Sequence, residues 1–342
     1  MASHRRPPQS GLTHSARATV LSAAAATAAA ALGAVPASAD PKDSPQSERA
    51  AVDRLFEEAE RATEKFNDAG VRVTELRRKV ARAQDGVARG QERVNRMRQA
   101  LGAVAGAQYR SGGMDPALDL LFSSDPDTYL IRAEALERLG ERHSGVLRDY
   151  QRVQRELGLE RTVALRALAG LERSRAAVAR HKRTVERKLA TAQRLLNTLP
   201  ARDREAYGRG SRSGRGEPPE LSGAGPATSR AAAAVRAALS AVGRPYVWGA
   251  NGPAGFDCSG LIQWSYAQAG VGLPRTSQAQ RHAGRRIPLS EARPGDLVTY
   301  RSDASHIGMY MGGGQVVHAP YPGAAVRYDP VGMMPVSSVT RV

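Results

Sequence analysis

A heptad pattern of apolar residues constrains the fold of this chain more than any other feature. It runs without a break from Val52 to Val104, with charged residues between the apolar positions. Such a repeat is typical of a coiled-coil helix, here about 80 Å long at 1.5 Å per residue. One core series consists of Val52, Ala59, Phe66, Val73, Val80, Val87, Val94 and Leu101. The other consists of Leu55, Ala62, Ala69, Leu76, Ala83, Gly90, Met97 and Val104.

A second heptad series predicts a helix that returns along the first. It comprises Leu136, His143, Tyr150, Leu157, Ala164, Leu171, Val178, Val185, Ala192 and Leu199. Its companion series starts apolar at Leu139 but decays to Glu160 and Lys188, which predicts a weaker or more exposed partner. We predict an antiparallel coiled-coil hairpin over residues 52–199. The alternative is a parallel coil between two chains.

An apolar insert over residues 114–130 separates the two helical series. The run Leu118 to Phe122 is too rich in apolar residues for a solvent-exposed turn. Two interpretations stay open: a hydrophobic plug that closes the hairpin, or a docking patch for a partner.

The first 39 residues have the pattern of a secretory signal peptide. Arg5 and Arg6 lie in a positive start, an alanine-rich run follows from Ala18 to Val35, and Ala37-Ser38-Ala39 is an A-x-A cleavage site. We therefore expect a secreted protein, extracellular or associated with the cell wall, with a spacer over residues 40–51. An uncleaved membrane anchor is the alternative, because the run is about 18 residues long.

The charge of the chain predicts polyanionic surroundings. The formal net charge is +17, and aromatic residues make up only 5%. A basic chain attracts nucleic acid, anionic lipid or anionic wall polymers. With few aromatic residues to stack on bases, nucleic acid is not expected as a partner. Residues 200–228 are rich in glycine, proline, serine and arginine, which predicts a flexible basic linker.

Residues 229–342 form the last predicted domain. A helix over Ser229 to Val242 and a second helix after the next loop precede a run of short strand-like segments. This order predicts an α+β domain with an antiparallel sheet packed on the second helix. The chain is therefore expected to be multidomain, with an all-α antiparallel coiled-coil hairpin followed by an α+β domain.

The only cysteine of the chain, Cys258, lies where a glycine-rich loop becomes that second helix. Leu261, Ile262 and Tyr266 share one helical face with it. Free N–H groups at a helix start favour the thiolate over the thiol, so Cys258 is a candidate nucleophile. The alternative is a buried, inert cysteine. One cysteine allows neither an internal disulfide nor a zinc-type cysteine cluster.

Two histidines are candidates for the base that a cysteine nucleophile needs. His306 opens a strand, His318 ends the next one, and a glycine turn between them predicts a hairpin that brings the two together. We assign His306 as general base and His318 as the group that orients it. His282 lies in a polar stretch and is expected at the surface. Zinc bound by Cys258 and the two histidines is the competing use, but we predict no metal and no cofactor.

Several motifs of the last third occur together and carry a resemblance. They are Pro245-Tyr246-Val247-Trp248-Gly249, Phe256-Asp257-Cys258-Ser259-Gly260-Leu261, Leu273-Pro274-Arg275-Thr276-Ser277, Arg293-Pro294-Gly295-Asp296-Leu297, His306-Ile307-Gly308-Met309-Tyr310 and Val317-His318-Ala319-Pro320. In these the chain strongly resembles the NlpC family of papain-like peptidoglycan endopeptidases. The arm, with its segment Leu120 to Leu130, resembles division-associated wall hydrolases and activators that a membrane ABC-type complex switches on.

The resemblance implies a reaction and its residues. Members cut the peptidoglycan stem peptide between D-γ-glutamyl and the diamino acid, which here implies attack by Cys258, proton transfer by His306 and a thioester intermediate. It also implies that Tyr246, Asp257 and Ser259 line the substrate cleft. Asp257 as a helix cap and Tyr246 as a packing residue are the structural alternatives. The residues interpreted as scaffold are Trp248, Arg275 and Asp296.

Two further functional readings stay open. The chain could be a non-catalytic wall-binding scaffold or an activator of other hydrolases, although intact Cys258, His306 and His318 favour an enzyme. The same fold could also serve an amidase or acyl-transfer reaction. That the arm restrains the enzyme is a hypothesis drawn from its length and its weak second series.

Overall fold

The computed structural model describes residues 45–110, 112, 116–122, 126–212 and 225–342. The signal peptide expected over residues 1–39 lies outside the described residues. All described residues belong to one compact unit, Pro41–Val342. No helix among them is long and apolar enough to cross a membrane.

Two long helices form the hairpin that the heptads predict. Helix α1 spans Pro45–Arg110 and helix α3 spans Pro126–Thr198. Their contacts run in opposite directions along the chain: Val52 packs with Leu199, and Val94 packs with Leu157. The antiparallel hairpin is confirmed, with both helices in one chain. Helix α1 begins inside the predicted spacer, so the helix starts earlier than its first heptad residue.

The burial pattern of α1 changes along its length. From residue 70 to residue 100 the buried positions lie mostly on the face toward α3, such as Val73 and Val80. Between residues 56 and 67 a second face of the helix is buried as well. The buried residues on that face include Phe56, Glu60 and Glu64. This part of α1 therefore has a second partner besides α3.

The insert forms a short helix, α2, over Pro116–Leu121. Its apolar side chains are not enclosed: Leu121 is 70% exposed and Phe122 is 78% exposed, and Leu130 at the start of α3 is exposed too. A plug would bury these side chains between the helices. Their exposure therefore favours the docking patch over the plug.

The predicted flexible linker begins as a helix, which corrects the prediction over residues 201–212. Helix α4, Ala201–Arg212, folds back onto the base of α1. Tyr207 donates a hydrogen bond to Asp53 at 2.7 Å, and the buried Asp203 pairs with Arg49. Composition predicted a linker because glycine and arginine dominate it, but these few specific contacts stabilise a helix there.

The C-terminal domain is α+β, as predicted. Its helices are α5, Ser229–Ser240; α6, Cys258–Gln268; and α7, Ser277–Gln280. Its strands are β1, Arg285–Ile287; β2, Leu297–Tyr300; β3, His306–Gly312; β4, Gln315–His318; β5, Arg327–Pro330; and β6, Val336–Arg341. The strands form one antiparallel sheet in the order β1-β6-β2-β3-β4-β5.

The core of this domain lies between the sheet and helices α5 and α6. Leu261 and Ile262 of α6 pack with Ile307 and Met309 of β3. Because α6 is packed on the central strand, its first residue is held against the start of β3. The fold thus fixes Cys258 opposite His306.

Candidate active site

Cys258 is the first residue of α6, at the position that the sequence predicts. The side chain of Asp257 caps the helix by accepting the N–H of Gly260 at 2.6 Å. Gly260 is required there, since a Cβ would lie 2.1 Å from the carbonyl oxygen of Ala250. The thiol is 1% exposed. Loop and cap therefore place a buried sulfur at a helix start.

His306 and His318 lie together, because β3 and β4 form the predicted hairpin. Nε2 of His306 is 2.7 Å from Nδ1 of His318. Nε2 of His318 is in turn 2.8 Å from a carboxylate oxygen of Asp329 on β5. The sequence did not reveal Asp329, which reaches His318 through the pairing of β4 with β5. A carboxylate therefore stands behind the histidine pair.

An acidic residue of the arm contacts the other side of His306. Nδ1 of His306 bonds Oε1 of Glu60 on α1, a buried contact between residues 246 positions apart. The guanidinium of Arg301 donates to the second oxygen of Glu60 at 2.6 Å. Burial opposes ionisation of Glu60, but His306 and Arg301 outweigh it and lower the pKa of this carboxyl. Glu60 is therefore a carboxylate.

The hydrogen-bond partners of the histidine pair indicate which ring nitrogens donate and which accept. A carboxylate only accepts, so Glu60 requires a hydrogen on Nδ1 of His306, and Asp329 requires one on Nε2 of His318. Burial lowers the pKa of His318 to about 4, although Asp329 opposes this, so its Nδ1 is an acceptor. The bond between the rings thus takes its hydrogen from Nε2 of His306. Both ring nitrogens of His306 are therefore engaged, Nδ1 by Glu60 and Nε2 by His318.

A second arm residue, Glu64, faces the thiol. Its Oε1 lies 3.9 Å from Sγ of Cys258 and accepts the hydroxyl of Ser259 at 2.6 Å. Its other oxygen accepts the N–H of Ser277 at 2.8 Å. Burial and the charge of Asp257 raise the pKa of Glu64 to about 7, against opposing contacts that include Ser259 and Ser277.

The thiol of Cys258 is neutral in these surroundings. Burial raises its pKa well above the ordinary value, and the charges of Glu60, Glu64 and Asp257 raise it further. The helix start alone would favour the thiolate. Burial, with the nearby charges of Glu60, Glu64 and Asp257 added to it, therefore reverses the effect that the sequence predicted.

The three predicted substrate-binding residues lie around the thiol. Asp257 is buried and pairs with Arg275 through both oxygens, at 2.9 and 2.6 Å. Ser259 also accepts from Arg275, at 2.9 Å. Tyr246 is buried, and burial and then Cys258 raise its pKa. The cap role of Asp257 is present, and Arg275, interpreted as scaffold, orients the side chains of Asp257 and Ser259.

Further contacts hold α1 over the cleft. Asn67 donates to Asp257 at 3.1 Å, and Phe66 packs edge-on against Trp248 with ring centroids 5.2 Å apart. Phe66 was assigned to the coil core, but its ring contacts the other domain. Phe66 thus follows the heptad spacing, although its ring lies where α1 meets the C-terminal domain.

The remaining predicted residues are placed simply. His282 is exposed, as expected. Asp296 pairs with Arg341 at 2.7 Å and accepts the N–H of Arg293, which fits a scaffold role. Glu60 and Glu64 were missed altogether. One signal exists in the sequence: Glu60, Glu64 and Asn67 follow helical spacing on a face of α1 other than the coil face.

A thiol at a helix start that faces an imidazole from a sheet defines the papain-like class of fold and site. Within that class, residues 243–340 match the family model described as NlpC/P60 family, and the C-terminal part of this chain is an NlpC/P60 domain. The predicted resemblance of the C-terminal domain to the NlpC family is confirmed.

Relatives share this domain rather than the whole chain. The chain is 52% identical over 99 residues to the probable endopeptidase Rv2190c of Mycobacterium tuberculosis, covering 29% of this chain and 26% of that protein. It is 44% identical over 118 residues to the probable endopeptidase Cgl2188 of Corynebacterium glutamicum, covering 34% and 56%. The chain thus spans about a quarter and about half of these relatives.

A solved structure of the peptidoglycan hydrolase RipB from Mycobacterium tuberculosis is similar as well. Identity is 35%, the match covers 33% of this chain and 64% of that one, and the TM-score is 0.31. The sequence matches, not this superposition, identify the domain.

Proposed function

We propose that this protein is a secreted peptidoglycan D,L-endopeptidase whose coiled-coil arm holds the enzyme inactive. The observation that carries the proposal is the contact of Glu60 with His306, the residue opposite the only cysteine. An NlpC/P60 domain and relatives described as probable endopeptidases support the reaction class.

In the active enzyme, Cys258 attacks the γ-glutamyl carbonyl of the stem peptide. His306 accepts the thiol proton and returns it to the leaving amine of the diamino acid. His318 and Asp329 hold the imidazole so that Nδ1 faces the sulfur. Backbone N–H groups at the start of α6 stabilise the oxyanion, and water then hydrolyses the thioester.

The arm opposes this reaction at two points. Glu60 occupies Nδ1 of His306, so the nitrogen that would accept the thiol proton is already engaged. Glu64 lies beside the sulfur and bonds Ser259 and Ser277. A free carboxylate of the stem peptide fits the same donors, so Glu64 acts as a stand-in for substrate. Ser259, Tyr246 and Asp257 line this cleft as substrate-binding residues.

The tip of the arm suits release by a partner. Docking on a membrane-bound division complex is supported by exposed apolar side chains at the tip, those of Leu118, Leu121, Phe122, Tyr129, Leu130 and Ile131. Pulling on a helix at its far end moves its base, and the base of α1 covers the cleft. The leader pattern of residues 1–39 supports export to the wall, where anionic polymers suit a net charge of +17.

Digestion of purified peptidoglycan by the full chain tests the reaction. The Glu60→Gln variant is used to open the cleft, and released fragments are identified by mass spectrometry. We expect cuts after D-glutamate, and none when Cys258→Ala is added to the same variant. A folded protein that binds peptidoglycan without cutting it would favour the scaffold alternative, and cuts at another bond would favour an amidase.

A further inference from the structure

Three potential metal ligands converge where the arm meets the cleft. Glu60 of α1, Cys258 of α6 and His306 of β3 each offer one ligand atom, and these atoms all lie within 4.8 Å of one another. All three side chains are buried. Thiolate, imidazole and carboxylate are the ligands that zinc uses in proteins. The two domains together thus supply a donor set that neither supplies alone.

Each donor is already oriented by a partner on its other atom. His306 uses Nε2 for His318, which Asp329 supports, and so presents Nδ1 to the cleft. Glu60 uses Oε2 for Arg301 and presents Oε1. Metal-binding histidines and carboxylates in proteins have outer partners of this kind, which fix the tautomer and the direction of the lone pair.

The charge of the site favours a cation. The carboxyl groups of Glu60, Glu64 and Asp257 surround the buried sulfur of Cys258. A divalent ion offsets their negative charge and stabilises the thiolate directly. Arg275 and Arg301 balance two of the carboxylates, so one divalent ion does not leave a large net charge.

We propose that the closed arm and the cleft bind one Zn²⁺ ion through Oε1 of Glu60, Sγ of Cys258 and Nδ1 of His306. Zinc bonds of about 2.0–2.3 Å place tetrahedral ligand atoms roughly 3.3–3.7 Å apart. The three ligand atoms lie within 4.8 Å of one another, so side-chain movements of about 1 Å bring them to these distances. Two protons leave to solvent, one from the thiol and one from Nδ1, and a water molecule takes the fourth position.

The consequence is that closure of the arm depends on the metal. The ion ties α1 to the nucleophile and the base at once, so zinc strengthens the inhibition by the arm. This consequence rests on the function proposed above, whereas the binding itself rests only on the contact of Glu60 with the cleft.

Metal titration of the full chain tests the site. Chelator-treated protein is titrated with Co²⁺, where a thiolate-to-cobalt charge-transfer band in the near ultraviolet reports on Cys258. Zinc affinity is then measured by competition with a chromophoric chelator. Variants are Glu60→Gln, Cys258→Ser and the control Glu75→Gln, an exposed glutamate on the same helix. Circular dichroism confirms that each variant folds.

We expect one zinc per chain, an affinity at least about tenfold weaker in Glu60→Gln, no charge-transfer band in Cys258→Ser and no change in Glu75→Gln. A wild-type chain without the band, or a Glu60→Gln variant that binds zinc as tightly as wild type, would overturn the proposal. Peptidase activity of Glu60→Gln without metal is a separate readout. If it equals that of wild type, the inhibitory arm is wrong while the zinc titration still decides the site.

Discussion

The two ends of helix α1 share one heptad pattern but differ in what covers them. At the base, residues 56–67 are packed against α3 on one side and against the cleft on the other. At the far end, Val104 and Tyr109 are exposed, and so are Leu121 and Phe122 beyond the turn. The base has two partners within the chain, whereas the far end presents apolar surface to the outside.

This difference is what the proposed inhibition by the coiled coil depends on. A coil needs only one apolar face, so the opposite face is free to carry Glu60 and Glu64. The same rod then extends away from the cleft and ends in an apolar tip. The proposed function therefore assigns inhibition to one end of α1 and its release to the other.

Removal of the charge on Glu60 has the largest expected effect. Charge-assisted hydrogen bonds contribute roughly 1.5–3 kcal/mol each, and Glu60→Gln weakens its bonds to His306 and Arg301. Since 1.4 kcal/mol is a factor of ten, we expect peptidase activity of the full chain to rise about 10- to 100-fold. The assay is release of soluble fragments from peptidoglycan, with Glu75→Gln as control. Equal activity of wild type, Glu60→Gln and Glu75→Gln would contradict a special role for the base of α1.

The next effect is a pH dependence set by Glu64. Its pKa is about 7 in the closed site and about 4.3 for a free glutamate, so protonation stabilises the closed state. That contribution is complete below about pH 4.3 and is lost as pH rises to 7. The lowered pKa of Glu60 works the other way, and its contribution is lost only in acid.

Glu64→Gln isolates this contribution, because glutamine stays neutral at every pH. We expect the ratio of wild-type to Glu64→Gln activity to rise roughly 10- to 60-fold between pH 5 and pH 7.5. The ratio cancels the titration of the catalytic groups that both proteins share. A ratio that stays constant, or falls with pH, would show that Glu64 does not couple protonation to closure.

Loss of the ring of Phe66 has a smaller expected effect. Aromatic pairs contribute roughly 0.5–1.5 kcal/mol beyond their buried area, and Phe66 contacts Trp248 across the interface. Phe66→Ala should therefore raise activity about threefold, measured in the same assay. Val104→Ala at the far end is the matched control and should change nothing. If both variants behave alike, the interface at the base is not what holds the arm.

Changes at the tip have the smallest expected effect on the isolated protein. Leu121→Ser combined with Phe122→Ser alters side chains that are exposed, so stability should change by no more than about 0.5 kcal/mol. Basal activity should stay within about twofold of wild type. Thermal melting and the peptidoglycan assay check both. Activation comparable to that of Glu60→Gln would mean that the tip itself keeps the arm closed.

Much of this architecture follows from local sequence patterns. The heptads from Val52 to Val104 predict the hairpin because coil packing depends on spacing alone. The loop before Cys258 and the turn between His306 and His318 likewise predict where these residues lie. Such features are local, and their physical causes act within a few residues or along one periodic element.

The remainder depends on contacts between distant segments. Asp329 reaches His318 only through strand register, and Glu60 reaches His306 across 246 positions. Contacts of Tyr207 with Asp53 and of Asp203 with Arg49 hold part of the predicted linker as a helix. Polar residues of this kind look solvated in the sequence, because the helical spacing of Glu60, Glu64 and Asn67 does not reveal what that face contacts.

The most direct test of an arm that closes the cleft is the alkylation rate of Cys258. It is the only cysteine in the chain and is 1% exposed, so iodoacetamide reports on this site alone. At neutral pH and without metal, we expect slow alkylation of the full chain, a rate at least about tenfold higher in Glu60→Gln and an unchanged rate in Glu75→Gln. Alkylation of the wild-type chain as fast as that of the unfolded chain would contradict a closed cleft. Equal rates in wild type and Glu60→Gln would contradict the role of Glu60.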